Sequence, residues 1–303
     1  MSKAKIAGVV GLLVVLVSIG VLAVVGTARA PFVTGPDRIA VVHLRGQIQE
    51  SALGVFSPGA ITPDLVRRRV AQAEADPRVR ALVLRVDSPG GTVAASQEVT
   101  TLLREVDVPV VVSMGDLAAS GGYYIATGAD HIVAQAGTLT GSIGVIWSTL
   151  DVDELLDKIG VELDSVTAGE HKDMFQPGGM TPERRELVQR MVDLMYDEFV
   201  AAVADGRDLP EARVRELATG ELFTGRQALE LGLVDELGGT REAVAAAERL
   251  AGITDAQVVE FRPTLFEQLS AAPGAALRGL LAGGPIELQL LRDAIDGYQV
   301  PRY

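Results

Sequence analysis

The sequence contains no cysteine, and aromatic residues make up only 4% of its 303 residues. Without thiols the chain has no disulfide framework, no thiolate nucleophile and no zinc ribbon. Lys and Arg number 27 against 40 Asp and Glu, so the net charge is −13 and nucleic-acid binding, which needs clustered cations, is excluded. Covalent catalysis would have to use serine, threonine, lysine or a carboxylate.

Motifs for metals and nucleotide cofactors are also absent from the sequence. There is no HExxH motif, no carboxylate–histidine spacing typical of a catalytic metal, and no complete dinucleotide fingerprint. We therefore predict that the protein uses no metal and no cofactor.

A long uncharged run lies near the amino terminus. Ile6–Val25 contains no charged residue, and twenty helical residues rise about 30 Å, the thickness of a bilayer's hydrocarbon core. Lys3 and Lys5 precede the run, which predicts a cytoplasmic amino terminus and a catalytic body outside the cytoplasm. Ala28–Ala30 resembles a signal-peptide cleavage site, but the run is longer than the roughly 7–15 residues of a signal peptide's apolar h-region. A retained anchor is favoured, and cleavage after Ala30 stays as the alternative.

The remaining chain reads as one domain with a linker and a tail. Strand-like and helix-like segments alternate along the part of the chain that lies after the linker and before the tail. This alternation predicts an α/β domain with buried, largely parallel strands. The predicted segments are a cytoplasmic stretch 1–5, a transmembrane anchor 6–26, a linker 27–37, a catalytic domain 38–262 and a tail 263–303 of uncertain role.

Apolar, β-branched runs and amphipathic patterns locate the main elements of the domain. A long helix begins after Thr181, a suitable N-cap followed by Pro182 at the first helical position, and it extends to about Asp205. Its apolar residues recur at helical spacing and predict a core or subunit-contact face. The predicted strands are Ile39–Leu44, Ala81–Val86, Val108–Ser113, Ile132–Ala134 and Val145–Ser148, and the other predicted helices are Asp64–Ala75 and Ala94–Val106.

Ser120 lies where a predicted strand turns into a short helical stretch. Such a turn exposes the hydroxyl, and the helix N-terminus favours developing negative charge. Gly121 and Gly122 follow, and they let a substrate backbone come close. Taken alone, the Ser-Gly-Gly sequence favours a different interpretation, in which Ser120 is an ordinary N-cap serine.

A second glycine loop, Ser88–Gly91, directly follows another predicted strand. Its free backbone amides could stabilise the oxyanion of an acyl-transfer intermediate, and we identify the amides of Gly91 and Gly121 as the candidate donors. The loop could also initiate a helix or hold a phosphate, although it lacks the Lys-Ser/Thr ending of a P-loop.

Four motifs follow one another along the chain: Ser88-Pro-Gly-Gly91, Ala118-Ala-Ser-Gly-Gly-Tyr-Tyr-Ile-Ala126, Leu139-Thr-Gly-Ser-Ile-Gly-Val145 and Gly169-Glu-His-Lys-Asp173. In this order and spacing they resemble the signal peptide peptidase A family, whose members belong to the Clp-protease and crotonase superfamily. The similarity extends from about Arg38 to Leu250 and includes Phe223–Asp235. It implies a crotonase-like fold, a Ser–Lys dyad, assembly as a homo-oligomer, and hydrolysis of remnant signal peptides in the membrane.

By this resemblance Ser120 is the nucleophile, Lys172, 52 positions further on, is the general base, and Ser142 orients the lysine amine. A lysine with an ordinary pKa near 10.4 becomes a useful base only when desolvation favours its neutral form. We therefore expect Lys172 to be buried, and the neighbouring Glu170 and Asp173 to point away from its amine toward solvent.

Several alternatives remain open at this point. A Ser–His mechanism would use His171, whereas His43 and His131 fit strand or loop positions. A second alternative is the membrane protease related to stomatin-operon proteins, but its serine-to-lysine spacing is shorter. A third is an acyl-CoA-handling enzyme, which would rarely meet its substrate outside the cytoplasm. A fourth is a catalytically silent scaffold, which would not need Ser120 and Lys172.

Overall fold

The computed structural model of the protein describes residues 35–51, 59–174 and 179–261. The predicted anchor 6–26, most of the linker 27–37 and the tail 263–303 lie outside the described residues, so their predictions stay untested. Within the described ranges, no helix combines the length and the apolar character that a membrane span requires.

The sheet contains long central strands and short peripheral ones. The strands at the centre are rich in valine and leucine and are buried on both faces, as in parallel sheets covered by helices. In chain order the strands are β1 (Arg38–Arg45), β2 (Val79–Ser88), β3 (Val110–Ala119), β4 (His131–Ala134), β5 (Leu139–Gly141), β6 (Leu222–Thr224), β7 (Glu236–Leu237) and β8 (Gln257–Phe261).

Helices connect most of the strands, and several begin at side-chain caps. Thr62 accepts a hydrogen bond from the Leu65 amide, and Thr181 accepts one from the Arg184 amide. The helices are α1 (Pro63–Glu74), α2 (Val93–Arg104), α3 (Gly121–Ala126), α4 (Asp153–Ile159), α5 (Pro182–Arg207), α6 (Glu211–Leu217), α7 (Gly225–Glu230) and α8 (Thr240–Ala251).

The strand order is β6-β5-β3-β2-β1-β8, with β4 lying between β3 and β7. All strand pairs in the described chain are parallel except β5 with β6, as predicted for an α/β domain. One edge of β3 pairs with β2, and its other edge pairs with two strands in succession. Val111–Ser113 pair with β4, and Leu117–Ala119 pair with β5. This double pairing extends β3 to Ala119, six residues beyond its predicted end.

Hydrophobic residues fill both faces of the sheet. Alternate residues of one strand point to opposite faces, so Leu82 and Leu84 join one core while Ala81 and Val83 join the other. The larger core packs against α1, α2, α3 and α5, and the smaller core packs against the alanines of α8. The mixed sheet is therefore covered by several helices on one face and by α8 on the other.

The predicted strand Val145–Ser148 is wrong. These residues have no strand partner in the described chain, and Ile146 is 89% exposed. The apolar run matches a buried strand in composition, and local composition does not show whether a partner strand is available. The strands β5, β6 and β7 have only two or three residues each, too few for a clear pattern, and neither they nor β8 were predicted.

Candidate active site

Ser120 lies at the predicted strand-to-helix junction and has an unusual backbone. Its φ of 51° and ψ of −122° are rare for a residue with a side chain. The Ser120 amide donates to the Gly141 carbonyl at 2.8 Å, which continues the β3–β5 ladder, while the Ser120 carbonyl accepts from the amides of Tyr123 and Tyr124. The sheet and the helix thus hold this conformation from both sides. Its side chain makes no capping hydrogen bond, unlike an ordinary N-cap serine.

The glycine loop after β2 packs directly against Ser120. Gly90 has a φ of 103°, and a Cβ on it would lie 2.9 Å from the Ser120 Cβ and 2.7 Å from the Gly121 amide nitrogen. A Cβ on Gly91 would lie 1.8 Å from the Ile48 carbonyl oxygen. Only residues without a side chain allow the two loops to approach this closely.

The amides of Gly91 and Gly121 are the predicted oxyanion donors, and the fold brings them together. Ile48 pairs with the Gly90 carbonyl and the Thr92 amide, so the intervening Gly91 amide points to the opposite side. The Gly91 nitrogen lies 3.0 Å from where a Gly121 Cβ would be. Gly121 is the first residue of α3, where an amide has no intrahelical acceptor. Both amides are thus available at one place beside Ser120.

Ser142 also reaches this place. It follows β5 with a φ of 50°, and its amide donates to the Glu221 carbonyl at 2.7 Å. Ser120 directly follows β3 and Ser142 directly follows β5, and because these strands are parallel both serines line the same cleft.

The cleft at Ser120 has a volume of about 500 Å³. Tyr124 and Phe199 pack their rings 4.9 Å apart in its wall, and Met195 lies beside them. Burial raises the pKa of the Tyr124 hydroxyl, which therefore stays protonated. The described residues that line the cleft include no charged side chain: they are Pro89, Gly91, Val93, Ser96, Ser120, Gly121, Tyr124, Ser142, Gly144, Val145, Ile146, Met195, Tyr196, Phe199, Ala218, Thr219 and Gly220.

Lys172 is not among these residues, and in the single chain it is exposed. We expected Lys172 to be buried, and in the single chain it is not. No residue from 146 to 174 is buried. Lys172 lies in a turn in which its amide donates to the Gly169 carbonyl at 3.2 Å. The neighbouring Asp173 is half-buried and accepts a hydrogen bond from Arg184 at 2.7 Å, so this carboxylate faces an arginine rather than solvent. Glu170 is exposed, as expected.

The three histidines also lie outside the cleft lining. His43 lies 4.0 Å from the Glu260 carboxylate, and His131 lies 3.4 Å from the Glu236 carboxylate. Both have acidic neighbours. His43 lies in β1 and His131 begins β4, as predicted. His171 is exposed on the same turn as Lys172.

One group of side chains offers atoms of the kind that bind metals. Glu170, His171 and Glu183 bring such atoms within 4.8 Å of one another, and all three are exposed. Exposed acidic groups often lie together without an ion, so this group does not assign a metal to the protein.

The sequence analysis missed the apolar wall of the cleft. Met195 and Phe199 were interpreted as part of a core or subunit-contact face of α5, and Tyr124 was not singled out. Helical periodicity indicates which residues turn inward, but a core and a cleft give the same pattern.

Comparisons with known proteins agree with this geometry. The model of peptidase family S49 matches residues 103–254, which include Ser120 and Lys172. The protein slr0021 of Synechocystis sp. is 42% identical over 216 residues, which cover 70% of this chain and 75% of that protein. The chloroplastic serine protease SPPA of Arabidopsis thaliana is 32% identical over 82% of this chain, which spans only 37% of that protein.

Among solved structures, a mutant of the membrane-bound stomatin-specific protease 1510-N in complex with a substrate peptide is similar to this chain. The TM-score is 0.51 at 17% sequence identity, and the match covers 80% of this chain and all of that one. This likeness supports the mixed α/β fold. The family match over half of the sequence and the protease relatives lead to one conclusion: the chain belongs to peptidase family S49 and is a serine peptidase.

Proposed function

We propose that the protein is an endopeptidase of the signal peptide peptidase A type, with Ser120 as nucleophile and Lys172 as general base. The observation that carries this proposal is the uncharged cleft in which Ser120 lies beside two free backbone amides. The described residues that line the cleft include no histidine, lysine or carboxylate that could act as a general base. The resemblance to the family assigns this role to Lys172.

In the proposed reaction, the neutral Lys172 amine takes the proton of the Ser120 hydroxyl as its oxygen attacks the peptide carbonyl carbon. The amides of Gly91 and Gly121 stabilise the oxyanion, at roughly 2.7–4 kcal/mol for each donor. The lysine ammonium then gives the proton to the leaving amine, and an acyl-enzyme on Ser120 remains. A water molecule, deprotonated by the same amine, then attacks the acyl carbon. The ester bond to Ser120 breaks, the ammonium returns its proton to the serine oxygen, and the acid product leaves. Ser142 holds the amine in position.

Because Lys172 is exposed, it must reach Ser120 by a movement of its segment or from a second copy in the proposed homo-oligomer. Two inactive variants, Ser120→Ala and Lys172→Ala, separate these possibilities when they are mixed. Recovery of activity in the mixture means that one copy supplies the serine and another the lysine. No recovery, with both variants folded and assembled, means that the dyad forms within one chain.

We propose that the substrates are apolar peptides, including remnant signal peptides. The apolar wall of the cleft, formed by Tyr124, Met195 and Phe199, supports this substrate class. A charged substrate side chain would lose its hydration in this cleft without finding an opposite charge. The test compares cleavage of an apolar peptide and of the same peptide with central Asp and Lys residues, using Ser120→Ala as the control. Equal cleavage of both peptides would exclude this substrate class.

A fluorophosphonate probe tests the serine directly, because it labels an activated serine hydroxyl. We expect labelling of the wild-type protein and none of Ser120→Ala. Activity should also survive chelators, since the proposed mechanism uses no metal. Loss of activity with EDTA and recovery with zinc would contradict it.

We further propose that residues 6–26 anchor the domain outside the cytoplasm and that the domain has the crotonase-like fold of the Clp-protease class. The uncharged run after Lys3 and Lys5 supports the topology. Protease added to spheroplasts should digest the domain. Digestion only after lysis would place the domain in the cytoplasm, and a mature chain that begins after Ala30 would show that the anchor is removed.

A further inference from the structure

Lys172 is followed by a carboxylate that could impair it as a base. A negative charge beside an ammonium group stabilises the protonated form and raises its pKa. Asp173 is the next residue in the chain, and its turn has few other constraints, because no residue from 146 to 174 is buried. The position of the Asp173 carboxylate therefore affects how much of the lysine is in the neutral form.

Arg184 binds this carboxylate. Its guanidinium donates to the Asp173 carboxylate at 2.7 Å, and the Arg184 side chain is only 23% exposed. The Arg184 amide also donates to the Thr181 hydroxyl at 3.2 Å, so the arginine is fixed in the first turn of α5. The ion pair therefore joins the turn that carries Lys172 to a capped helix end.

We propose that Arg184 is a positioning residue for the general base: it holds the Asp173 carboxylate on α5 and away from the Lys172 amine. The inference rests on the proposed function, in which Lys172 accepts the proton of Ser120. Glu170 and His171 lie on the same turn as Lys172, the Glu183 carboxylate on α5 lies within 4.8 Å of the polar atoms of both, and all three are exposed.

Replacement of Arg184 by alanine would release the carboxylate next to the ammonium. The rising limb in the pH profile of kcat/KM should move to higher pH, because a carboxylate beside the amine favours its protonated form. At neutral pH kcat/KM should fall about two- to fivefold, the size expected for an exposed pair of charges. The loss should become smaller as the pH rises, because an alkaline medium deprotonates the lysine in both proteins.

The decisive variant is the double replacement Arg184→Ala with Asp173→Asn. It removes the released carboxylate, so the pH profile should return toward that of the wild type. Arg190→Ala is the matched control, because Arg190 pairs with Glu186 at 2.9 Å on the same helix. We expect its pH profile to match the wild type.

A loss in Arg184→Ala that is equal at every pH and is not relieved by Asp173→Asn would overturn the proposal, since it would indicate a structural role alone. An unchanged profile in a folded Arg184→Ala protein would overturn it as well. Failure of the proposed function is distinguishable, because it would appear as full activity in folded Lys172→Ala.

Discussion

Ser120 and Lys172 lie in two regions of one chain that are built differently. Ser120 is held between β3, β5 and α3, and the glycine loop packs against it at distances that exclude any side chain. Lys172 lies in an exposed segment whose helix α4 buries none of its residues. The segment also exposes large apolar side chains, among them Ile146, Leu150 and Val166.

This difference indicates how the proposed catalytic groups share their tasks. An oxyanion site works only when its dipoles are fixed before the reaction, and a sheet and a helix end provide such fixed dipoles. A lysine base needs an environment that removes water from its amine, and the exposed segment alone does not provide one. The proposed nucleophile is therefore preorganised by the fold of one chain, whereas the proposed base would depend on a further movement or contact.

The largest effect is expected from removing either of the two proposed catalytic side chains. Ser120→Ala and Lys172→Ala should each lower kcat/KM roughly 10⁴-fold or more. Lys172→Arg should be equally inactive, because a guanidinium stays protonated and cannot accept the serine proton. Because Lys172 is exposed, its variants should keep the wild-type melting temperature.

Histidine variants provide the matched control for the base. His43→Ala and His131→Ala should keep substantial activity, and His171→Ala should lose only a part through displacement of its neighbour. Abolition of activity by His171→Ala, with Lys172→Ala still active, would move the base to histidine.

The next effect tests the fixed amides beside Ser120. A Cβ at Gly121 would lie 2.5 Å from the Ser96 hydroxyl oxygen and 3.0 Å from the Gly91 nitrogen. Gly121→Ala should therefore displace an oxyanion donor and lower kcat about 10²–10³-fold. Gly137→Ala is the control, because nothing lies within 4 Å of its Cβ position. Equal kcat values for the two variants would show that the Gly121 amide has no catalytic role.

A pair of isoleucine variants compares the packing of the two regions. Ile132 in β4 is fully buried, whereas Ile159 in α4 is 62% exposed. Ile132→Ala should lower the free energy of unfolding by about 2–5 kcal/mol, through lost burial and the cavity that remains. Ile159→Ala should change it by less than about 0.5 kcal/mol. Urea unfolding of diluted protein measures both, and a large loss for Ile159→Ala would mean that a partner covers α4 under these conditions.

The smallest effect concerns a carboxylate on the well-packed side of the molecule. Hydrogen bonds from Arg78, together with one from Arg38, hold the pKa of Asp76 well below its usual range. A carboxyl with a lowered pKa stabilises the folded state above its unfolded pKa, near 3.9, and this contribution is lost as the pH falls through the folded value. Asp76→Asn should therefore cost about 1–3 kcal/mol of stability at pH 7. The difference from the wild type should shrink in acid, below about pH 4.

The exposed pair of Glu186 and Arg190 is the control for Asp76. Its side chains are 75% and 57% exposed, so Glu186→Gln should change the free energy of unfolding by no more than about 0.5 kcal/mol at any pH. Thermal unfolding of both variants between pH 3 and pH 7 checks this. A constant difference for Asp76→Asn across that range would contradict the ionic explanation.

Much of the framework follows from local sequence patterns. The strands β1 and β2 and the helices α1 and α2 agree with their predicted positions within about two residues, because buried β-branched runs and amphipathic periodicity are local properties. The start of α5 at Pro182 was also predicted, because Thr181 caps the helix with its own side chain. The motifs likewise identified Ser120 and its glycines as one candidate site.

Only the tertiary structure decided which residues meet. Gly91, Gly121 and Ser142 converge at Ser120 because the parallel strands β2, β3 and β5 end at one edge of the sheet. Met195 and Phe199 face a cleft, and residues 145–148 form no strand, because each outcome depends on which distant segment is available as a neighbour. The exposure of Lys172 and the pairing of Asp173 with Arg184 have the same origin. Contacts between residues far apart in the chain leave little trace in local composition, since many sequences satisfy the same local pattern.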